Sequence, residues 1–322
     1  MRQYIMRRVL QMIPVLFGVS IILYILFTMA PGDVVTNMVQ SNPKMSIEKQ
    51  EQLRHLYHLD EPQIVQYGYW ALGAIQGDFG DSYKYKQPVG KVMNSYIWNS
   101  FYLGLASLIA AVLCAIPIGV LSATRQYSAF DYFFTVLAMV GISIPSFFMT
   151  MLLIKWLAID LPIFPVGGMV TTGSSATGFA KFTDVLYHMV LPFFVLTFME
   201  VAMFMRYTRT SMLEVIRQDY IRTARAKGLG EKIVIYKHAM KNALIPIITL
   251  LGISLPVLFA GAIITETIFS WPGIGPVTLL AVNNRDYPLL MGINMLLAVL
   301  TLVGNLLADV AYALADPRIR LK

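Results

Sequence analysis

The chain has 322 residues, 57% of them hydrophobic and only 13% charged, where soluble domains carry about 25% charged residues. Its net charge of +7 is not laid out as a basic stripe interleaved with stacking aromatics, so nucleic acid is excluded as a partner and lipid is the solvent that fits. The single cysteine, Cys114, rules out a disulfide framework within the chain and, set in an apolar run, reads as packing.

Arg2, Arg7 and Arg8 precede an apolar stretch from Val9 to Ala30. That stretch is long enough to span and exceeds a signal-peptide core of about 7–15 residues. Pro31 directly after Ala30 disfavours cleavage there. Residues 1–30 are therefore expected to be a short cytoplasmic tail and an uncleaved first transmembrane helix.

Residues 31–99 are expected to form an extracytoplasmic segment. Within it, SIEKQEQLRHLYHLDEP reads as a short helix with Ser46 as N-cap and Lys49 where a capping box needs an acid. Leu53, Leu56 and Tyr57 share one face, and Asp60-Glu61-Pro62 ends the helix. His55 and His58 lie i, i+3 on it without a Cys or carboxylate to complete a site, so no metal is predicted.

Further apolar runs occupy 100–123, 132–158, 186–205, 243–268 and 288–314. Each approaches the roughly 20 residues that cross about 30 Å of hydrocarbon. Helices are favoured because each satisfies its own backbone. Residues 100–314 are thus expected to be a transmembrane core, giving an all-α membrane protein with six spans. Pro117, Pro145, Pro192 and Pro256 fall inside spans as kinks or hinges, and the Gly/Ser/Thr tract Thr171–Gly178 marks a loop within 159–185.

Lys and Arg fix the expected orientation. Arg125, then Arg206, Arg209, Arg217, Arg222, Arg225, Lys227, Lys232, Lys237 and Lys241, and finally Arg318, Arg320 and Lys322 gather on the side of the N-terminus. The positive-inside rule puts both termini in the cytoplasm. Ionisable residues within spans are functional candidates by default. Glu200, mid-run in the fourth span, either faces a wet path or bonds to a neighbouring helix, to Arg206 or to Tyr207. Asp309 lies towards the cytoplasmic end of the last span; Glu266 and Lys155 lie near outer ends. Met199, Met203, Met205 and Met212 read as packing.

The loop between the fourth and fifth spans, expected over 206–242, carries the most information. Asp219 to Lys227 reads as a short helix stopped by Gly228 in the left-handed conformation, and Glu231 opens a second helix that runs towards Pro246. Ala224, Ala226 and Gly228 would let a partner's surface approach closely. An ordinary basic loop is the competing interpretation. Further on, Trp271, Pro272 and Gly273 within WPGIG suit an anchored turn or a re-entrant segment at the outer mouth of a path, with Trp271 as interface anchor. No phosphate-cradling loop, zincin motif or nucleophile elbow occurs, so no catalytic residue is assigned and no enzyme activity is expected.

ARAKGL, followed by the HAxxNALIP form at His238–Pro246, resembles the EAA loop of ABC importer permeases, in the version of the dipeptide, oligopeptide and nickel permeases. Arg222, Thr223 and Ala224 stand where the general pattern has Glu-Ala-Ala, and Gly228 keeps its glycine. The absent acid and the late Pro246 are usual in the peptide branch. RRVLQMIPVLFGVSIILYILFTMAPGD at 7–33, ETIFSWPGIG at 266–275, RDYPLLMG at 285–292 and ADPRIRLK at 315–322 are similarly placed features.

This resemblance implies a type I ABC importer permease (MetI-like) fold in a bacterial inner membrane. It implies a second homologous permease, two ABC ATPase subunits and an extracytoplasmic substrate-binding protein as partners. ATP and magnesium would sit on the ATPases, with no cofactor on this chain. Asp219, Arg222, Ala224, Arg225, Ala226, Lys227, Gly228, His238 and Asn242 would form the ATPase-coupling loop, and Glu200 and Glu266 are candidates for the translocation path. Peptides are the expected cargo, with nickel or another small solute as the variant. A secondary transporter is the rival class, and Glu200 alone supports it.

The topology predicts that, in a Cys114→Ala background, a cysteine at Ser46 reacts with a membrane-impermeant maleimide added from outside, and one at Ser211 does not. The reverse pattern would sink the orientation.

Overall fold

The computed structural model describes residues 2–29, 33–41 and 43–315; Arg318, Arg320, Lys322 and the rest of the expected tail at 315–322 beyond Ala315 lie outside them. Helix α1 (Arg2–Thr28) leads into a lobe of α2 (Val34–Ser41), α3 (Ile47–Leu56) and α4 (Gln63–Ile75). Then come α5 (Val89–Thr124), α6 (Ala129–Ser143) and α7 (Ser146–Leu153), which runs on as π-helical turns over Ile154–Asp160. The long α8 (Gly178–Ile216) reaches a loop made of α9 (Asp219–Ala226), α10 (Glu231–Ile233), π-helical turns over Val234–Ala239, and α11 (Met240–Ala243). The chain closes with α12 (Ile245–Ala260), α13 (Ile263–Ile268), α14 (Ile274–Asn283) and α15 (Tyr287–Ala315).

Among the described residues, α1, α5, α8, α15 and the stretch Ile245–Ile268 are long and apolar enough to cross a membrane. The pair α6–α7, bent by 102°, supplies a sixth crossing when taken as one broken span. The expected third span is therefore not a single helix. Pro145 pushes Ile144 out of the helical region into an extended conformation, and the chain turns there before α7 begins. The fifth span also differs: α12 stops at Ala260, and Gly261 adopts φ +73° before α13. The second span begins at Val89 rather than 100, so the last residues of the expected outer segment belong to α5. Helix α8, with 39 residues, is about 58 Å long. It absorbs the end of the 159–185 loop and residues 206–216 of the expected cytoplasmic loop.

Helices in lipid gain little from mutual apolar burial, so they associate through close packing of small residues. A Cβ on Gly252 of α12 would sit 2.5 Å from the Ala308 Cβ, and one on Gly304 of α15 would sit 2.6 Å from the Gly252 carbonyl oxygen. Helices α5 and α8 share the most extensive pairing, with Thr208 packed against Gly119. Met205 and Met212 are buried in the core and Met199 and Met203 pack at its edge, as packing residues do. Cys114 departs from expectation: it is exposed on α5, on a face the chain's own helices do not cover.

Polar ties hold both ends of the bundle. On the side of the 217–243 loop, Arg8 pairs with Asp309 at 3.2 Å. There the Arg209 guanidinium also donates to both oxygens of the buried Asp131, at 2.6 and 2.8 Å. Asp131 accepts the Tyr127 backbone N–H as well and starts α6, so this pair locks α6 onto α8. On the lobe side, the Ser82 hydroxyl and the Lys84 backbone N–H donate to Asp286 at 2.5 and 3.0 Å, fixing the loop before α5 to the start of α15. Lys155 reaches an exposed pair with Asp160.

Asp131→Ala strands the Arg209 guanidinium, and breaking a mostly buried pair costs about 3–5 kcal/mol. The variant should melt well below wild type in detergent, while Asp131→Leu/Arg209→Met recovers most of the loss. Equal melting of Asp131→Ala and wild type would show that the pair does not lock α6 to α8.

Candidate functional site

The loop folds as a knob with an inner and an outer face. Gln218 precedes α9, and Asp219 and Arg222 pair along its exposed side at 3.5 Å. Ile221 and Ala224, three residues apart, point inwards, where they join Val120, Ala123, Met212, Val234, Ile235, Ala239 and Ala243 in one apolar core. Ala224 is thus buried against its own chain, and its expected part in receiving a partner is corrected. The outward residues are Arg222, Thr223, Arg225, Ala226, Lys227 and Gly228.

Gly228 ends α9 at φ +77°, and its N–H bonds the Arg225 carbonyl at 2.9 Å; a Cβ there would meet nothing within 4 Å. Gly230 leads into Glu231, whose carboxylate binds the Arg225 guanidinium at 2.7 and 3.1 Å across the turn. That bond holds the Glu231 carboxyl below its ordinary pKa and raises that of Arg225. The Asn242 amide donates to the Tyr220 hydroxyl at 3.1 Å and to the His238 carbonyl at 3.2 Å, tying α9 to α11. The knob continues α8 at one end and runs into α12 at the other.

The 261–276 segment is a second built feature. Glu266 is 1% exposed. Its carboxylate accepts the backbone N–H groups of Ala262 at 3.2 Å and Gly275 at 2.9 Å. The Ser100 hydroxyl bonds it too, and that same oxygen accepts the Ile274 N–H at 2.8 Å. The Asn99 amide donates to the Pro272 carbonyl at 2.7 Å, and the Trp271 indole N–H donates to the Asn99 carbonyl at 3.2 Å. Gly168 N–H donates to the Phe269 carbonyl at 2.7 Å. Two expectations are corrected here. Glu266 does not line a path, because its carboxylate is enclosed and fastens the turn. Trp271, also 1% exposed, is a packed core residue rather than an interface anchor. Gly273 is where the turn passes closest to that carboxylate: a Cβ would lie 2.3 Å from Glu266 Oε2.

Glu200 is half-buried on α8, and one carboxylate oxygen is enclosed without a hydrogen-bond partner among the described residues. Neither Arg206 nor Tyr207 reaches it. His58 stacks on Tyr69 with ring centres 4.3 Å apart. Among the described residues no group of three or more His, Cys, Asp or Glu side chains is placed to hold a metal. The Asp131–Arg209 pair and the Asp286 anchor escaped the sequence reading, because residues 78 and 204 positions apart give no local signal.

Residues 115–321 match the family model of the binding-protein-dependent transport system inner membrane component, and residues 1–96 match the N-terminal model of the same membrane components. The chain is 43% identical to the oligopeptide transport system permease protein AppB of Bacillus subtilis, over 99% of both chains. It is 38% identical to the dipeptide transport system permease protein DppB of Escherichia coli K12, over the full length of both, and 36% identical to the di/tripeptide transport system permease protein DppB of Pseudomonas aeruginosa, over 99% of both.

Gly273→Ala forces a methyl group onto the Glu266 carboxylate and should cost about 1–3 kcal/mol, as overpacking does. Gly230→Ala, whose Cβ would meet nothing within 4 Å, is the control and should stay within about 0.5 kcal/mol of wild type. Thermal melting of both variants in detergent checks this; indistinguishable melting would contradict the packed turn.

Proposed function

This chain belongs to the family of binding-protein-dependent transport system inner membrane components, and on that premise we propose that it is the permease subunit of a bacterial ABC importer for peptides. In this reading it lies in the cytoplasmic membrane with both termini inside. A second, homologous permease completes the path, and a substrate-binding protein delivers cargo to the side of the lobe. Two ATPases carry ATP and magnesium and dock on the knob. Peptide cargo is favoured over nickel because the relatives named above are oligopeptide, dipeptide and di/tripeptide permease proteins.

The observation that carries the reading is the two-faced knob. Ile221 and Ala224 bind it to the chain's own core, while Arg222, Ala226, Lys227 and Gly228 stand outward with no cover of their own. An ATPase that grips this outer face holds α8 and α12 together, since the knob is continuous with both. Closure of the ATPases then tilts two spans at once and shifts the bundle between two arrangements, which exposes the path alternately to either side. Glu200, with an unpaired carboxylate oxygen in mid-span, is proposed to meet a polar part of the cargo along that path.

The test separates the two faces of α9. Ala226→Trp and Arg222→Glu should leave the chain in the membrane at normal levels, cut co-purification of the ATPase at least about tenfold, and abolish coupled uptake in reconstituted vesicles. Ala224→Asp should lower the level of the chain itself, since it buries an unpaired charge. In the same vesicles Glu200→Ala should assemble normally and import poorly. Wild-type docking and uptake in both outer-face variants would remove the coupling role, and wild-type uptake by Glu200→Ala would remove Glu200 from the path.

A further inference from the structure

A cavity of about 370 Å³ opens between the lobe and the membrane-spanning bundle. Helices α1 and α15 contribute Tyr24 and Tyr287; the end of α3 and helix α4 contribute Tyr57, Tyr69 and Trp70; the loop before α5 contributes Tyr83. Both α1 and α15 are spans, and the cavity lies at the last turns of one and the first turn of the other. By the length and composition of the spans, that level is where hydrocarbon gives way to water. At the same level of α1, Ile25 and Leu26 are exposed.

The lining decides the sign of charge the cavity accepts. Among the described residues no Lys or Arg side chain lines it; the His58 ring does, stacked on Tyr69. Its one carboxylate is Asp33. Burial opposes ionisation there, but the Thr36 N–H and hydroxyl, at 2.6 and 2.7 Å, and the Arg54 guanidinium, at 2.9 Å, outweigh it and hold the Asp33 pKa down. Arg54 offsets that charge. A second carboxylate, Asp286, is fully buried behind Tyr83, and its recorded partners are the Ser82 hydroxyl and the backbone N–H groups of Lys84 and Leu289. Burial first, and then Asp286, Tyr57 and Asp33, push the Tyr83 phenol's pKa up, so this wall carries a neutral hydroxyl. Aromatic faces attract cations through their quadrupoles, and most strongly where water is thinned out. The Trp70 ring lines the cavity with them.

We propose that this cavity binds an organic ammonium group at the level of the lipid headgroups. The aromatic rings hold the cation. Two sources present that chemistry: the headgroup of an aminophospholipid, and a soluble amine. A tethered headgroup has the advantage of position, because the cavity adjoins the lipid-facing surface of α1. The assignment stands apart from the transport reading, since it needs neither cargo nor ATP.

The test uses the full-length chain in detergent, together with any subunits that co-purify. Phosphatidylethanolamine and phosphatidylglycerol with identical acyl chains are offered at equal concentration, and the retained lipid is counted by native mass spectrometry. The ethanolamine lipid should be retained at least about fivefold over the glycerol lipid. Trp70→Leu/Tyr83→Leu should erase that preference, and Trp98→Leu, outside the cavity, should keep it. A second arm needs no variant: choline should alter tryptophan fluorescence and displace the ethanolamine lipid, and its neutral isostere 3,3-dimethyl-1-butanol should do neither. A choline response without lipid preference supports the ammonium site and assigns it to a soluble amine. Equal retention of both lipids with no choline response overturns the proposal, as does an equal response to choline and the isostere.

Discussion

In hydrocarbon a backbone N–H or carbonyl has no water to turn to, and every departure from helix must be answered from within the chain. The fold is organised around where it breaks that regularity and what meets the exposed groups. The 261–276 segment is the most demanding case. There α12 stops, α13 makes little more than a turn, and the chain passes through Pro272 and Gly273 before α14. The enclosed Glu266 carboxylate gathers the Ala262 and Gly275 N–H groups, while Ser100 and Asn99 on α5 take up Ile274 and Pro272. One acidic side chain thus permits a non-helical block inside a bundle of spans. The block is also tied to the lobe-side end of α5, through Asn99 and Ser100.

The opposite end of the bundle meets the same constraint with charge. Asp131 lies at the start of α6, where the chain has just turned through Tyr127 and Ser128, and Arg209 answers it from α8 in two parallel hydrogen bonds. Between these polar ends the helices touch through glycine and alanine, so the distance between α12 and α15 is set by backbone contact at Gly252 and Gly304. The bundle is thus fastened at its ends by polar groups and spaced by backbones in its middle.

Much of this was legible in the residues. Each of the six apolar runs overlaps a helix or helix pair long and apolar enough to cross, Gly228 takes the left-handed conformation its place required, Ser46 caps α3, and Glu231 opens the second helix of the knob. The breaks were harder to see. Hydropathy summed along a run cannot distinguish a straight helix from the 102° bend at Pro145, and Pro117 and Pro192 sit inside unbroken helices. Trp271 misled because an aromatic beside a turn suits an interface and a core equally; Asn99, whose backbone carbonyl accepts its indole N–H, is 172 residues away. Glu266 misled in the same manner, its partners being invisible until the turn folds back. Ala224 carried a signal that went unused: with Ile221 it forms an i, i+3 apolar pair on a helix otherwise polar, which marks an inward face.

The contact between α1 and α15 joins the two ends of the chain, and it sets a timetable for biosynthesis. Helix α1 emerges long before the helix it packs against and the Asp309 that meets Arg8. At about 5–20 residues per second the first helix waits on the order of tens of seconds in the bilayer before its neighbour arrives. It must be self-sufficient through that interval. Its composition suits the wait: its most apolar 18 residues have a mean hydropathy of 2.4, and only 11% of them are buried even in the finished fold. Arg8 likewise spends that time near the membrane surface without Asp309, where a long side chain can reach headgroups. Helix α15 then docks on α1, so a chain truncated before Asp309 leaves α1 without that ion pair.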